Sequence, residues 1–104
     1  MPLNINWEDE NGNVIEEWKE YLLPWNLTLH RDYELFEDTR CLRFIDLNGD
    51  TTFNRFQCEV LVTEFEALLK MVKDPEEIRG IESLLKFVNT RIGNIHIYLK
   101  FWGD

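Results

Sequence analysis

Residues 57–93 read QCEVLVTEFEALLKMVKDPEEIRGIESLLKFVNTRIG, and their apolar residues recur at steps of three and four. This spacing places the apolar side chains on one face of a helix, with charged side chains opposite. The first part of the stretch therefore predicts an amphipathic helix of about four turns. Its apolar stripe is formed by Cys58, Leu61, Val62, Phe65, Leu68, Leu69 and Val72.

A second helix is predicted directly after the first. Asp74 followed by Pro75 is typical of a helix N-terminus, and Glu77 stands three residues after Asp74, as a capping box requires. Gly93 is expected to end this helix. Its apolar stripe is formed by Ile78, Ile81, Leu84, Leu85, Val88 and Ile92.

Alternation of apolar and polar residues predicts strands near both ends of the sequence. The segment LNINW at 3–7 alternates and is followed by NGN, which favours a strand over about 3–8 and a hairpin turn at Asn11 and Gly12. Residues 94–104 read NIHIYLKFWGD and alternate over most of their length. They predict a second strand.

The segments between these elements are less regular. Residues 13–23 have apolar residues at a helical spacing, whereas VIEEW within them can equally return as a strand, so both readings stay open. Residues 26–39 are interpreted as a loop with a short strand or turn. The segment RCLRFIDL at 40–47 predicts a strand covered on both faces, followed by a turn at NGD.

Two consecutive amphipathic helices need a common apolar surface, which a sheet can provide. The predicted fold class is therefore α+β, with a mostly antiparallel sheet and both helices packed on one of its faces. The chain has 104 residues, and we expect a single domain over 1–104.

The two cysteines bear on the compartment. The N-terminal segment MPLNINWEDENG has neither a basic region nor an apolar core typical of a secretion signal, so Cys41 and Cys58 are expected as free, buried thiols. No apolar run approaches the roughly 18 residues that a membrane helix needs. The expected location is the cytoplasm.

Most of the negative charge lies in the first third of the chain. The net charge is -9; residues 1–38 hold ten acidic and two basic residues, whereas residues 39–104 hold ten acidic and nine basic residues. Such a field repels nucleic acid and anionic membranes and attracts a basic protein. We therefore expect a basic protein partner, no direct nucleic-acid binding and no membrane binding. Solubility alone is the alternative explanation.

Tryptophan is a favoured anchor at protein interfaces, and three of the four tryptophans lie in or beside this acidic segment. The chain itself is expected to be a monomer or a weak homodimer. Aromatic side chains also fill cores, and that alternative stays open. The candidate partner-binding residues are Trp7, Glu8, Glu16, Glu17, Trp18, Glu20 and Trp25.

Residues 46–57, DLNGDTTFNRFQ, resemble a calcium loop in having Asp, Asn and Asp at positions 1, 3 and 5. Position 6 is Thr51 instead of glycine, and position 12 is Gln57 instead of a bidentate glutamate. The entering helix is also missing, because the preceding residues predict a strand. We therefore expect no metal at this segment.

A structural turn explains the same residues. Asp50 or Thr51 can cap the next element of the chain, and Asn54 can bond backbone groups at the start of the helix near Gln57. The alternative is a ligand pocket near Asp46, Asp50, Asn54 and Lys100, which requires the C-terminal strand to lie beside this turn.

Signatures of catalysis are missing from the sequence. His30 and His96 have no Cys or carboxylate at ligand spacing, and the settings of Cys41 and Cys58 are apolar. There is no Gly-rich phosphate loop and no nucleophile motif. We expect a protein that is not an enzyme and has no cofactor.

Two segments together resemble a known group of proteins. LRFIDLNGDTTFNRFQ at 42–57 and IYLKFWGD at 97–104 resemble small, largely uncharacterised bacterial proteins with an I-D-x-x-G-[DN]-T-x-F-N-x-x-Q segment and a terminal Y-L-K-F-x-G-D. This sequence has Leu47 and Asn48 where a proline and an aromatic residue would be expected. In size and acidity the group is similar to single-domain immunity proteins that protect bacteria from toxins.

The resemblance and the charge together indicate a stoichiometric binding protein of the immunity or inhibitor kind. A small ligand-binding or enzymatic domain is the first alternative. An inhibitor that mimics nucleic acid is the second, although it requires acidic residues spaced along a face like phosphates, and here they cluster near one end of the sequence.

Overall fold

The computed structural model describes residues 4–19, 39–46 and 49–102. The elements in chain order are β1 (Asn4–Asp9), β2 (Val14–Glu17), a 3-10 helix (Leu42–Phe44), β3 (Asp50–Phe53), α1 (Arg55–Met71), α2 (Pro75–Arg91) and β4 (Ile97–Trp102). The four strands form one sheet in the order β2-β1-β4-β3, and every neighbouring pair is antiparallel. This arrangement confirms the predicted α+β class.

The core lies between the two helices and one face of the sheet, which we call the inner face. Ile5 and Trp7 of β1 alternate inward, and the Trp7 indole Nε1 donates a hydrogen bond to the Phe87 carbonyl oxygen of α2 at 3.2 Å. The predicted helical stripes supply the other side of the core. The buried apolar residues are Ile5, Trp7, Cys41, Leu42, Phe53, Cys58, Leu61, Phe65, Leu68, Ile81, Leu84, Phe87, Val88, Leu99 and Phe101.

Both helices begin at capped residues. Asn54 and Gln57 form a capping box at the start of α1, in which each side chain accepts a hydrogen bond from the other residue's backbone N–H at 2.9 Å. Asn54 therefore bonds the backbone as predicted, and the caps suggested at Asp50 and Thr51 were wrong. At α2 the Asp74 side chain accepts a hydrogen bond from the backbone N–H of Glu76. A capping box would require the N–H of Glu77, so Asp74 caps the helix as predicted but without the box.

The first hairpin decides between helix and strand for residues 13–19, the part of 13–23 that the structure describes. Val14–Glu17 is a strand, because the Asp9 carboxylate accepts from the backbone N–H groups of Asn11 and Asn13 and closes a tight turn. Gly12 has φ of 84°, the left-handed conformation that glycine adopts without a steric cost. The pairing favours the returning strand over the helix.

The prediction of a strand at residues 40–47 was wrong. Leu42–Phe44 is a 3-10 helix, in which Leu42 is buried and Phe44 is 61% exposed. The next element was not predicted, because NGD was interpreted as the end of a strand. Asp50, the last residue of NGD, instead begins β3 (Asp50–Phe53), which pairs with β4. The prediction for residues 26–39 lies outside the described residues except at Thr39.

The structure also bears on the two cysteines and on membrane-spanning helices. Both Cys41 and Cys58 are free and buried, as predicted. Within the three described ranges, no helix is long and apolar enough to cross a membrane.

Candidate protein-binding surface

Among the described residues β2 is the outermost strand on one side of the sheet, and it is exposed along its whole length. All four of its residues are exposed, including Val14 at 49% and Ile15 at 40%. Its ladder to β1 contains an irregularity at Trp7 and Glu8, where the register shifts by one residue. The edge therefore presents two apolar and two acidic side chains to solvent.

A groove runs between β2 and α2. Trp18 follows the strand and is half-buried there, and its indole Nε1 donates to the Ser83 hydroxyl oxygen of α2 at 3.0 Å. This hydrogen bond connects the end of β2 to α2 at one end of the groove. The residues that line the groove are Val14, Ile15, Glu16, Glu17, Trp18, Lys19, Ser83, Lys86, Phe87 and Thr90. We call this set the β2 surface.

The two glutamates of β2 differ in their surroundings. Glu16 pairs across the ladder with the inward-facing Trp7, so it lies on the inner face, where its Oε1 is 3.1 Å from Nε of Arg91. Glu17 pairs with Asn6 and therefore lies on the outer face. Within the described residues the Glu17 carboxylate has neither an ion pair nor a side-chain hydrogen bond.

The acidic residues of the hairpin turn are occupied within the molecule. Hydrogen bonds from the backbone of Asn13 and its neighbours lower the pKa of the Asp9 carboxyl, and these bonds outweigh the opposing effect of burial. Glu10 contacts Nδ1 of His96, which itself has a left-handed φ of 69°. These carboxylates shape the turn and contribute to the field around it.

Two of the tryptophan candidates are placed by the structure, and one was wrong. Trp7 is 1% exposed and packs against Phe87 with ring centroids 6.3 Å apart, so it is a core residue and cannot anchor a partner. The alternation that predicts β1 already indicates this inward position. Trp18 keeps an exposed part beside the groove. Glu20 and Trp25 lie outside the described residues.

The turn at residues 46–57 meets the C-terminal strand. Lys100 Nζ lies 3.5 Å from Asp50 Oδ2 and 4.0 Å from Oε2 of Glu8, so β4 does bring this lysine beside the turn. Glu8 thus faces Lys100, with its side chain only 12% exposed. The Lys100 amine thus connects β4 to β1 through Glu8 and to β3 through Asp50. These contacts favour a structural role for the three residues.

The other side chains of this turn also bond the backbone. Thr51 Oγ1 accepts from Asp46 N–H at 2.9 Å, while Asn54 and Gln57 are used in the cap of α1. In the parts of the chain that the structure describes, no group of three or more His, Cys, Asp or Glu side chains is placed to hold a metal ion.

The groove itself is not apparent from the sequence. Ser83, Lys86 and Thr90 belong to the polar side of a predicted amphipathic helix, and nothing in that pattern distinguishes them from other solvent-facing residues. Only the packing of α2 beside an edge strand brings them to Trp18. The spacing of Ser83, Lys86 and Thr90 at three and four residues does place them on one helix face.

Comparison of the chain with family models, with curated proteins and with solved structures finds no match.

Proposed function

We propose that this chain is a stoichiometric protein-binding module of the immunity or inhibitor kind, which covers a basic partner with the β2 surface. The observation that carries this proposal is the exposed edge strand Val14–Glu17, whose four exposed residues combine two apolar and two acidic side chains next to a groove. Apolar contact area flanked by charge is typical of protein interfaces.

Electrostatics supports a basic partner. The chain carries a net charge of -9, so a positively charged protein is attracted before contact and a negatively charged one is repelled. Glu17 supplies a carboxylate free of described partners, whereas Glu16 would exchange or share its Arg91 contact with an incoming cation.

Trp18 supports the same surface as a site of binding energy. Its indole N–H is bonded to Ser83, so the ring is already held in one orientation and loses little freedom when a partner covers it. The resemblance to small uncharacterised bacterial proteins, which are similar to single-domain immunity proteins in size and acidity, supports the functional class. The proposal places the chain in the cytoplasm, as a monomer or weak homodimer that acts without enzymatic activity or a cofactor.

Capture from a lysate of the native host tests the proposal. Immobilised wild-type chain should retain a basic protein, form a one-to-one complex with it and inhibit its activity in proportion to the amount added. The double variant Glu16→Lys, Glu17→Lys should slow association at least tenfold and weaken the salt dependence, since the Debye length is about 8 Å at physiological salt.

The matched control is Glu59→Lys, Glu66→Lys, which reverses two exposed glutamates on α1. It changes the net charge equally but leaves the β2 surface intact. Equal losses from both pairs, or retention of an acidic protein, would contradict the proposal. A captured protein displaced by DNA would favour the nucleic-acid mimic, and binding of a small molecule at Lys100 and Asp50 would favour the ligand-binding alternative.

A further inference from the structure

We propose, resting on the function proposed above, that the partner contributes an extended segment that pairs antiparallel with the outer edge of β2 as a fifth strand. Its lysine or arginine residues lie beside Glu17, and its apolar residues cover the groove on the α2 side.

The backbone geometry of β2 provides the edge. Trp18 N–H donates to the Ile5 carbonyl oxygen at 2.9 Å, which makes these two residues a hydrogen-bonded pair of the ladder. Pairs alternate in an antiparallel ladder, so Glu17, which lies opposite Asn6, directs its own N–H and C=O away from β1. In the described part of the chain no strand pairs with that edge. These groups can be satisfied by an added strand.

The side chains on the two faces of β2 select the sequence of the added strand. Glu17 is the acidic residue on the outer face, so a cation on the neighbouring strand fits beside it. On the inner face Glu16 is already paired with Arg91, and Lys86 lines the groove, so a further cation there meets positive charge. Trp18, which is half-buried, offers apolar surface instead. Alternating cationic and apolar residues match both faces.

A second copy of this chain is a poor occupant of the same edge. Each copy has a net charge of -9, and pairing two β2 edges would bring acidic strands together. Charged residues on an edge strand are a common protection against such self-pairing. The same glutamates attract a basic strand, so the charge selects the partner as well as excluding another copy.

Synthetic peptides test the pairing without the natural partner. The probe is an end-blocked peptide of eight residues in which lysine and valine alternate. Hydrogen exchange followed by NMR should show slowed exchange of the Glu17 amide when the peptide binds, and shifts confined to Val14–Trp18 and the facing residues of α2. Glu17→Lys should weaken binding at least tenfold.

N-methylation distinguishes strand pairing from charge attraction alone. In antiparallel pairing the residue beside Glu17 directs its N–H toward β2, so methylating the lysine amides should abolish binding. Methylating the valine amides, which face away, is the matched control and should preserve it. Equal binding by all three peptides, loss with valine methylation alone, or an unprotected Glu17 amide would overturn the proposal. Self-association of the chain through β2 would also overturn it.

The two proposals fail separately. A captured basic partner that depends on Glu16 and Glu17 but leaves the Glu17 amide unprotected would overturn the strand pairing and support the binding function. If the peptide pairs with β2 but no inhibited partner is found in the host, the binding function is overturned and the pairing at β2 is supported.

Discussion

At the scale of single residues, Glu64 determines the conformation of a segment far from it in sequence. Its carboxylate accepts hydrogen bonds from three consecutive backbone N–H groups, those of Arg40, Cys41 and Leu42, the last two at 3.1 and 3.0 Å. These N–H groups belong to the first residue of the 3-10 helix and the two residues before it, where donors have no partner within the helix itself. Glu64 is therefore structural, although its position on the charged face of α1 predicts only an exposed side chain.

Replacing Glu64 by alanine should destabilise the fold by about 2 kcal/mol, because hydrogen bonds to a charged acceptor contribute about 1.5–3 kcal/mol. Urea unfolding followed by tryptophan fluorescence measures the change. Glu66→Ala, an exposed residue two positions away, should stay within about 0.5 kcal/mol of the wild type. Similar values for the two variants would contradict the role assigned to Glu64.

Cys58 links the stability of the core to alkaline pH. Burial, reinforced by the nearby Cys41, raises the pKa of its thiol from 9.0 to about 12. The unfolded chain releases this proton at lower pH than the folded chain, so the contribution is complete below about pH 9 and is lost as the pH rises toward 12. The slope for one proton is at most about 1.4 kcal/mol per pH unit.

Unfolding free energies measured from pH 8 to 11 should therefore fall less steeply for Cys58→Ala than for the wild type. Other groups titrate in this range in both proteins, so the difference between the two slopes is the informative quantity. Parallel slopes would show that Cys58 is not protected from ionisation. Native thiol titration should also be slow, and both thiols should react fully after denaturation.

At the scale of elements, the sequence predicts what depends on local periodicity. The stripes from Cys58 to Val72 and from Ile78 to Ile92 predict α1 and α2, and the alternation at Ile97–Trp102 predicts β4. These patterns succeed because each element buries one regular face. The 3-10 helix was missed because Glu64 stabilises it from 22 to 24 residues away, and β3 was missed because DTTF is polar and pairs only through tertiary contact with β4.

The hairpin of β1 and β2 depends on Gly12. A Cβ atom at this position would meet nothing within 4 Å, so alanine there is opposed only by its left-handed backbone. Gly12→Ala should cost about 1–2 kcal/mol, since that is the penalty of this conformation for an ordinary residue. Gly12→Asn should cost less, because asparagine tolerates the left-handed region. Thermal unfolding checks both variants, and an alanine variant as stable as the wild type would refute this account.

At the scale of the whole molecule, acidic residues close in sequence have separate structural roles. Composition predicts a strongly negative first third, but the structure uses Asp9 to close a turn, Glu8 to face Lys100 and Glu16 to pair with Arg91. Only the fold distinguishes these from Glu17. The sequence therefore predicts the sign of a partner's charge, whereas the position of the proposed surface depends on which strand lies at the edge of the sheet.

The middle of the sheet joins β1 to β4, and this pairing has a consequence for synthesis. Asn4–Asp9 aligns with Ile97–Trp102, so the two central strands are separated by almost the whole chain. On the ribosome, Ile5 and Trp7 have no native neighbour on that side until residues 97–102 have emerged. Contacts of such long sequence separation make folding slow relative to helical proteins of the same size.

Chains that end at residue 96 should consequently unfold without a sharp cooperative transition and should bind a dye specific for exposed apolar surface. The full chain should unfold in a sharp transition and should not bind the dye. A truncated chain with a sharp transition would show that the helices fold independently of the central strands. A chain that still lacks residues 97–102 leaves the apolar residues of β1 without their β4 partner, and they stay open to chaperones and proteases until that strand is added.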